Sequence, residues 1–222
     1  MRLLYHHPLV ASARKVRLVL GEKRLAFEER VIEPWRENED LLGLNPTGEL
    51  PVLVDEDDTV VSDQGAIVEY LDEVYPDVPL IGRTARDRAE ARRLAAWFDD
   101  KFHWEVTQHI AGEKLTRRVS ANAAPDSRAL RAGRENIQLH LQYITWLKER
   151  RSWLAGDHLS IADLSAAANI SLVDYSGDMP WEHYPEVKEW YVRVKSRPSF
   201  RALLKDTVPG VPPMPVYTDL DF

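Results

Sequence analysis

The sequence contains no cysteine among its 222 residues. Disulfides, thiolate-bound zinc or iron–sulfur sites and thiol nucleophiles are therefore excluded. Basic residues are in the minority, because 29 Lys and Arg face 36 Asp and Glu, which gives a formal net charge of −7. An acidic chain is a poor match for a phosphate backbone, so we expect no nucleic-acid partner.

Long hydrophobic runs are missing as well. The longest apolar stretches fall far short of the roughly 18 residues that a membrane-spanning helix needs. Residues 1–8 read as a strand and lack the charged-then-apolar pattern of a signal peptide. We therefore expect a cytoplasmic protein with no membrane partner. The apolar content of 44%, which includes seven Trp and eight Tyr, is enough to build a packed core.

The pattern of the chain changes near residue 76. Residues 1–76 alternate short β-branched runs with helical periodicities in the order βαβ and then ββα, which predicts an α/β domain with a mixed sheet. Residues 77–85 contain Pro and Gly and are typical of a linker. Residues 86–207 repeat apolar residues every three or four positions, which predicts an all-α domain. Four prolines in residues 208–222 predict an extended tail.

Three motifs carry structural or functional information. Pro51 opens a predicted strand, where it is either an ordinary trans proline or a cis proline that frees neighbouring backbone groups to bind an extended ligand. Ser62 and Asp63 precede a predicted helix, whose N-terminus is either capped by these side chains or available to a carboxylate. Ser160 and Asp163 form a predicted capping box, which has a structural role.

In this order and spacing, the motifs resemble the glutathione transferase superfamily over about residues 1–205. The matching residues are Tyr5 and Pro8, Arg14 to Leu18, Asn45 to Leu53, Ser62 to Leu71, and Ser160 to Asp163. The resemblance implies a thioredoxin-like α/β N-terminal domain followed by an all-α C-terminal domain, and usually a homodimer. It also makes a cis bond between Leu50 and Pro51 the expectation.

A glutathione transferase must stabilise a thiolate, usually with a Tyr, Ser or Cys near the end of the first strand. In the Ser and Cys classes that residue lies six positions before the Val of the first-helix motif, a position that Val10 occupies here. Neither Val10 nor its neighbour Ala11 has a side chain that can donate a hydrogen bond. Ser12 and Tyr5 are the remaining candidates, although Ser12 also reads as a cap of the first helix. We therefore assign no catalytic residue.

The rest of the glutathione site is incomplete. The resemblance assigns Leu50, Pro51, Asp63 and Gln64 to ligand binding, but the family usually has Ser where Gln64 stands. Gln64 keeps the backbone N–H but adds bulk to the pocket, while Asp63 can still pair with the amine of a ligand. We therefore expect weak or absent glutathione binding, no other cofactor and no metal site.

The tail and the loop after the second strand contain residues that a transferase active site would not require. Tyr217, Asp219, Leu220, Asp221 and Phe222 alternate apolar anchors with acidic residues, as a docking peptide does. The alternative is a tail that folds back onto its own domain. Trp35 follows a proline after the second strand, where we expect it to be exposed at an interface.

Residues 113–134 form a basic segment in this acidic chain. They hold six Lys and Arg against two acidic residues, a net charge of +4. Such a segment can steer an acidic partner, although a solvated helix hairpin explains any single arginine equally well.

Within the superfamily, the chain resembles the FtsZ-binding, glutathione-transferase-like cell-division factors of alphaproteobacteria. The matching runs are Met1 to Leu9, Ser12 to Lys23, Ala96 to Phe102, and the proline-rich tail that ends in Asp-Leu-Asp-Phe. This resemblance implies a non-catalytic homodimer that binds filaments of FtsZ, a tubulin-like GTPase, alters their curvature or organisation and is recruited to the division site. The alternative is an active glutathione transferase that uses Ser12 or Tyr5.

Overall fold

The computed structural model describes residues 1–220. The first part of the chain forms β1 (Leu3–His6), α1 (Ala11–Glu22), β2 (Glu28–Val31), α2 (Glu39–Leu44), β3 (Val52–Val54), β4 (Val60–Ser62) and α3 (Gln64–Val74). The strands make one sheet in the order β2-β1-β3-β4. Strands β1 and β2 are parallel because α1 crosses between them, whereas β3 is antiparallel to both of its neighbours.

The second part of the chain is helical. A continuous rod consists of α4 (Ala85–Ala96), a π-helical segment (Trp97–Thr116) and α5 (Arg117–Ala121). It is followed by α6 (Ser127–Lys148), α7 (Ile161–Tyr175), a 3-10 turn (Trp181–His183), α8 (Pro185–Lys195), a second 3-10 turn (Pro198–Phe200), α9 (Arg201–Leu204) and α10 (Pro215–Thr218). This arrangement confirms the predicted fold class. No helix of the described chain is long and apolar enough to cross a bilayer.

Helix α7 is the centre of the molecule. Every one of its residues is buried, and it packs against α1, α4 and the π-helical segment. Ser160 and Asp163 form the predicted capping box at its first turn. The apolar core therefore runs without a break from the sheet through α1 and α7 into the helical domain.

The tail packs against α7 instead of extending away from the domain. Tyr217 is fully buried, and the N–H of Met214 donates to the carbonyl of Tyr175 at 3.0 Å. The Tyr175 hydroxyl in turn donates to the carbonyl of Val211 at 2.8 Å. The prediction of Tyr217 as a docking anchor is wrong, because its ring lies in the core. The alternative, a tail folded back onto its domain, describes residues 208–218.

Arg14 on α1 joins both domains and the tail. Its side chain is completely buried. Nε donates to the carbonyl of Pro8 at 2.6 Å, and Nη1 donates to Ser171 Oγ and to the Tyr217 hydroxyl, both at 2.9 Å. Asp206 Oδ2 lies 3.7 Å from Nη2 and supplies the opposite charge. A buried cation without such partners would cost several kcal/mol, so each acceptor is structurally important.

Two more cations hold the two ends of the tail. Arg17 donates through Nη1 and Nη2 to the two carboxylate oxygens of Asp206, at 2.7 and 3.0 Å. Lys195 is buried beside Asp174, with 3.2 Å between Nζ and Oδ2, and also donates to the carbonyl of Asp219 at 3.0 Å. The tail is therefore fixed by charged side chains on α1 and α8.

We expect Tyr217→Phe to lower the free energy of unfolding by about 1–3 kcal/mol, because Arg14 loses an acceptor and the carbonyl of Leu203 loses its donor. Urea unfolding measures this loss. The matched control is Tyr184→Phe, which removes a hydroxyl from an exposed hydrogen bond to Gln138 and should change stability by at most about 0.5 kcal/mol. Equally small losses in the two variants would contradict the assigned role of Arg14.

Candidate functional site

A cleft of about 680 Å³ separates the sheet domain from the helical rod, and we call it the interdomain cleft. One wall comes from the start of α1, the loop before β3 and the start of α3, and the other comes mainly from the π-helical segment. The lining residues are Leu9, Val10, Ala11, Ser12, Pro34, Asn45, Thr47, Glu49, Leu50, Ser62, Asp63, Gln64, Asp99, Asp100, His103, Trp104, Gln108, Thr116 and Asn169.

The two candidate thiolate donors lie in different environments. Ser12 lines the cleft, but its Oγ donates to the carbonyl of Leu50 at 3.2 Å. It does not cap α1 as expected, because the helix begins at Ala11 and Val10 occupies the N-cap position without a side-chain hydrogen bond. Tyr5 lies within β1 and is not among the residues that line the cleft. The position of the family's usual donor is filled by aliphatic side chains.

The predicted ligand-binding remnant is mostly at the cleft. Leu50, Asp63 and Gln64 line it, whereas Pro51 is buried and follows a cis peptide bond, as the resemblance implied. Asp63 has a left-handed backbone with φ of 73° and caps α3, since its Oδ1 accepts from the N–H groups of residues 65 and 66 at 2.7 and 3.1 Å. The amide oxygen of Gln64 is buried and has no hydrogen-bond partner among the described residues.

The helical wall contributes a neutral imidazole. Asn169 Oδ1 accepts from Thr107 Oγ1 at 2.9 Å and lies 3.1 Å from His103 Nδ1, which assigns the ring proton to Nδ1. His103 Nε2 then accepts from the side-chain amide of Gln108 at 2.9 Å. Burial lowers the pKa of His103, so the ring adds no positive charge to the cleft.

The charged side chains that line the interdomain cleft are acidic. Glu49, Asp63, Asp99 and Asp100 line it, and no lysine or arginine is among the lining residues in the described chain. Asp99 is compensated by the buried Lys15, whose Nζ lies 2.5 Å from Oδ2. Glutathione carries two carboxylates, and this wall offers no cationic side chain to either of them. The cleft is therefore a poor match for glutathione.

A second cleft of about 560 Å³ lies beside the root of the tail, and we call it the tail-side groove. Its lining residues are His7, Pro8, Val31, Glu33, Trp35, Arg36, Arg118, Val119, Asn122, Thr207, Val208, Pro209 and Gly210. Three features that the sequence indicated separately meet here: Trp35, an arginine of the basic segment, and the first residues of the tail. The expectation that Trp35 is exposed needs correction, because it is half-buried with its ring edge against His7 at 4.9 Å between centroids.

The other predicted partner residues lie elsewhere. Asp219 and Leu220 are exposed at the end of the described chain and do not line the groove. Asp221 and Phe222 lie outside the described residues. Tyr217 is in the core, as described above. Of the residues predicted to form a docking peptide, only those after Tyr217 remain candidates.

The positive charge of the basic segment is partly neutralised in the fold by an acidic residue from outside the segment. Lys114 and Arg134 both pair with Asp178, at 2.6 and 2.9 Å. Asp178 lies outside the counted segment, so the count of +4 omitted it. Arg118, in contrast, is exposed at the tail-side groove.

His6 and His7 are both buried at the end of β1. Burial, reinforced by the nearby Arg17, lowers the pKa of His6 to about 3, and neither ring nitrogen has a hydrogen-bond partner among the described residues. Burial also lowers the pKa of His7, whose Nδ1 accepts from the N–H of Leu9 at 3.1 Å. Residues 1–220 hold no group of three or more side chains able to bind a metal ion.

Sequence motifs did not indicate the acidic helical wall. Asp99 and Asp100 lie side by side between Phe98 and Phe102 of a predicted helix, and this pair was the one available signal. Only the fold shows that both carboxylates face the residues that precede α1 and α3.

Family models of the glutathione S-transferase N-terminal and C-terminal domains match residues 11–74 and 124–207. FtsZ-localized protein A of Caulobacter vibrioides is 46% identical, and the alignment covers 100% of this chain and 98% of that protein. The chain belongs to the glutathione S-transferase superfamily. A crystal structure of a glutathione S-transferase from Rhodospirillum rubrum is 56% identical to this family member, with a TM-score of 0.98 and full coverage of both chains. That of FzlA from C. crescentus is 46% identical, with a TM-score of 0.96 and coverage of 100% and 99%.

We expect this superfamily member to lose stability as the pH falls from 7 to 5. The unfolded chain protonates His6 near its ordinary pKa of about 6.5, whereas the folded chain keeps it neutral down to about 3. His6→Leu removes this difference and should therefore reduce the loss of unfolding free energy between pH 7 and pH 5 by up to about 2 kcal/mol. Urea unfolding at both pH values measures the effect, and identical pH dependence of variant and wild type would contradict it.

Proposed function

We propose that this chain is a non-catalytic adaptor that binds FtsZ filaments at the bacterial division site and alters their curvature or organisation. The observation that carries the proposal is the end-to-end similarity, at 46% identity, to a protein named for its localisation with FtsZ. The chain thus shares more with that protein than a common domain.

The interdomain cleft supports an adaptor over an enzyme. Val10 and Ala11 occupy the place of a thiolate donor, and the hydroxyl of Ser12 is bound to the carbonyl of Leu50. The cleft also lacks a lysine or arginine for the carboxylates of glutathione, within the residues that the structure describes. Catalysis by the family's usual route would need a side chain that stabilises the thiolate and groups that bind the carboxylates of glutathione.

The tail-side groove is the proposed contact surface. Trp35 and Val208 supply an apolar floor, and an aromatic anchor in a pocket is the residue type that dominates binding energy at interfaces. Arg36 and Arg118 stand at the rim, and Glu33 offsets part of their charge through a 2.8 Å ion pair with Arg36. This combination suits an FtsZ segment in which an apolar side chain lies next to a carboxylate.

A homodimer completes the proposal. Helix α6 exposes Leu139 by 54% and Trp146 by 46%, and Tyr143 stacks on Trp146 with 6.0 Å between ring centroids. Apolar side chains gathered on one exposed face suit self-association. A dimer would carry two tail-side grooves, so that the second contact with a filament becomes intramolecular and strengthens a weak single site. Two linked contacts can also change filament curvature or join filaments.

Co-sedimentation with GTP-assembled FtsZ tests the proposal. We expect the intact chain to pellet with filaments. Trp35→Ala should weaken this binding by about ten-fold, since it removes the aromatic anchor of the groove. Arg118→Ala should weaken the binding less and reduce its salt dependence, since it removes a charge from the rim. The matched control is Trp104→Ala, which removes an exposed tryptophan from the other cleft and should bind like the wild type.

Absence of pelleting by the intact chain would overturn the adaptor proposal. Equal weakening by Trp104→Ala would overturn the assignment of the contact to the groove. Truncation after Asp219 tests the last three residues separately and leaves Tyr217 in place, whereas deletion of residues 208–222 would also remove an acceptor of Arg14.

The alternative function is a glutathione transferase that uses Ser12 or Tyr5. The observation in its favour is the position of Ser12 at the cleft, where a ligand that binds the carbonyl of Leu50 would release the serine hydroxyl. We expect no saturable conjugation of glutathione to 1-chloro-2,4-dinitrobenzene. Saturable turnover that falls at least ten-fold in Ser12→Ala or Tyr5→Phe would instead establish the enzyme.

A further inference from the structure

Strand β2 forms an open edge of the sheet. It pairs with β1 on one side only, and all four of its residues are exposed. The N–H groups of Glu28 and Ile32 donate to carbonyls on the β1 side, at 2.9 and 2.8 Å. The alternate residues Glu29 and Val31 therefore direct their backbone groups away from the sheet. Within residues 1–220 these outward groups make no hydrogen bond, so an extended peptide can add to them as a further strand.

The charged side chains of β2 do not block its edge. Glu29 pairs with the buried Arg17 on α1, with 2.7 Å between Oε1 and Nε. Glu28 lies 3.9 Å from Arg30 on the other face of the strand. These charges are thus compensated within the chain, and the last residue, Val31, has an apolar side chain that is 58% exposed. The strand also contains neither the proline nor the lysine that often protects an edge.

The open edge leads directly into the tail-side groove. Val31 belongs to both, and Glu33 and Trp35 follow it at intervals of two residues along the groove wall. Side chains two positions apart in an extended chain lie on one face, about 7 Å from each other. A segment that pairs with β2 therefore has its own alternate side chains on this face, where Trp35 and Val208 can receive them.

The charge around the groove selects the kind of segment. Arg118 is exposed and forms no ion pair in the described chain. The side chain of Arg36 is 77% exposed, although it pairs with Glu33. A carboxylate on the added strand can reach these guanidinium groups, while an apolar side chain on the same face packs on Trp35. The fitting partner is an extended segment in which an apolar and an acidic residue stand two positions apart.

We propose that FtsZ binds by strand addition, in which an extended segment of the filament subunit pairs with the edge of β2. The outward N–H and C=O groups of Glu29 and Val31 hydrogen-bond to its backbone, and its apolar and acidic side chains enter the tail-side groove. The inference rests on the proposed function, because it assigns a binding mode to the same groove. Backbone pairing supplies affinity, and the groove supplies specificity.

Val31→Pro tests strand addition, measured by co-sedimentation with GTP-assembled FtsZ. Proline removes an N–H that the sheet does not use and is tolerated in an edge strand, so the fold should stay intact. We expect binding to weaken by about ten-fold, because the added strand loses a backbone donor and meets the proline ring. The matched control is Val31→Thr, which keeps the N–H and a β-branched side chain and should bind like the wild type.

Hydrogen exchange of the wild-type chain tests the same pairing without any effect of proline on folding. Filament binding should slow about two further amides in residues 28–32, those of Glu29 and Val31, because the alternate amides already bond within the sheet.

The outcomes separate this inference from the adaptor proposal. Equal binding of Val31→Pro and Val31→Thr, or unchanged exchange in residues 28–32 on binding, would overturn strand addition and leave the adaptor proposal intact. Absence of pelleting by the wild type would overturn both. A smaller oligomer in Val31→Pro, measured by light scattering, would show that β2 of a second copy occupies the edge and would also overturn strand addition.

Discussion

The buried guanidinium of Arg14 is the interaction on which the rest of the structure depends. Its acceptors come from the turn between the first strand and α1, from the central helix α7 and from the tail, and Asp206 supplies the opposite charge. Such a cation is tolerated inside a protein only while all its partners stay in place. The seam between the two domains and the course of the tail are therefore coupled through one side chain. Residues 207–210, where the tail begins, form one wall of the tail-side groove. The groove therefore depends on the packing of the tail against the helical domain.

The same fold carries two clefts of different chemistry. The interdomain cleft is acidic and has the aliphatic Val10 and Ala11 at the usual donor position, whereas the tail-side groove combines a half-buried Trp35 with arginines at its rim. The groove, as proposed, suits a protein segment with apolar and acidic side chains.

Local sequence patterns predicted the part of this structure that local physics determines. Hydrophobic periodicity indicated the order of the main strands and helices, and the spacing of Ser160 and Asp163 indicated a capping box. The family resemblance indicated the cis peptide bond before Pro51. The burial of Tyr217 could not be predicted in this way, because its partner Arg14 lies 203 residues earlier in the chain. Neither could the convergence of residues 35, 118 and 208 at one groove, which only the packing of two domains brings about.

The central claim is that FtsZ filaments bind at the tail-side groove, and amide hydrogen exchange tests it most directly. Exchange is measured for the chain alone and for the chain bound to GTP-assembled FtsZ. We expect slower exchange in residues 31–36, 117–122 and 207–210, and unchanged exchange in residues 99–108 at the interdomain cleft. Protection confined to residues 99–108, or no protection in the presence of filaments, would contradict the claim.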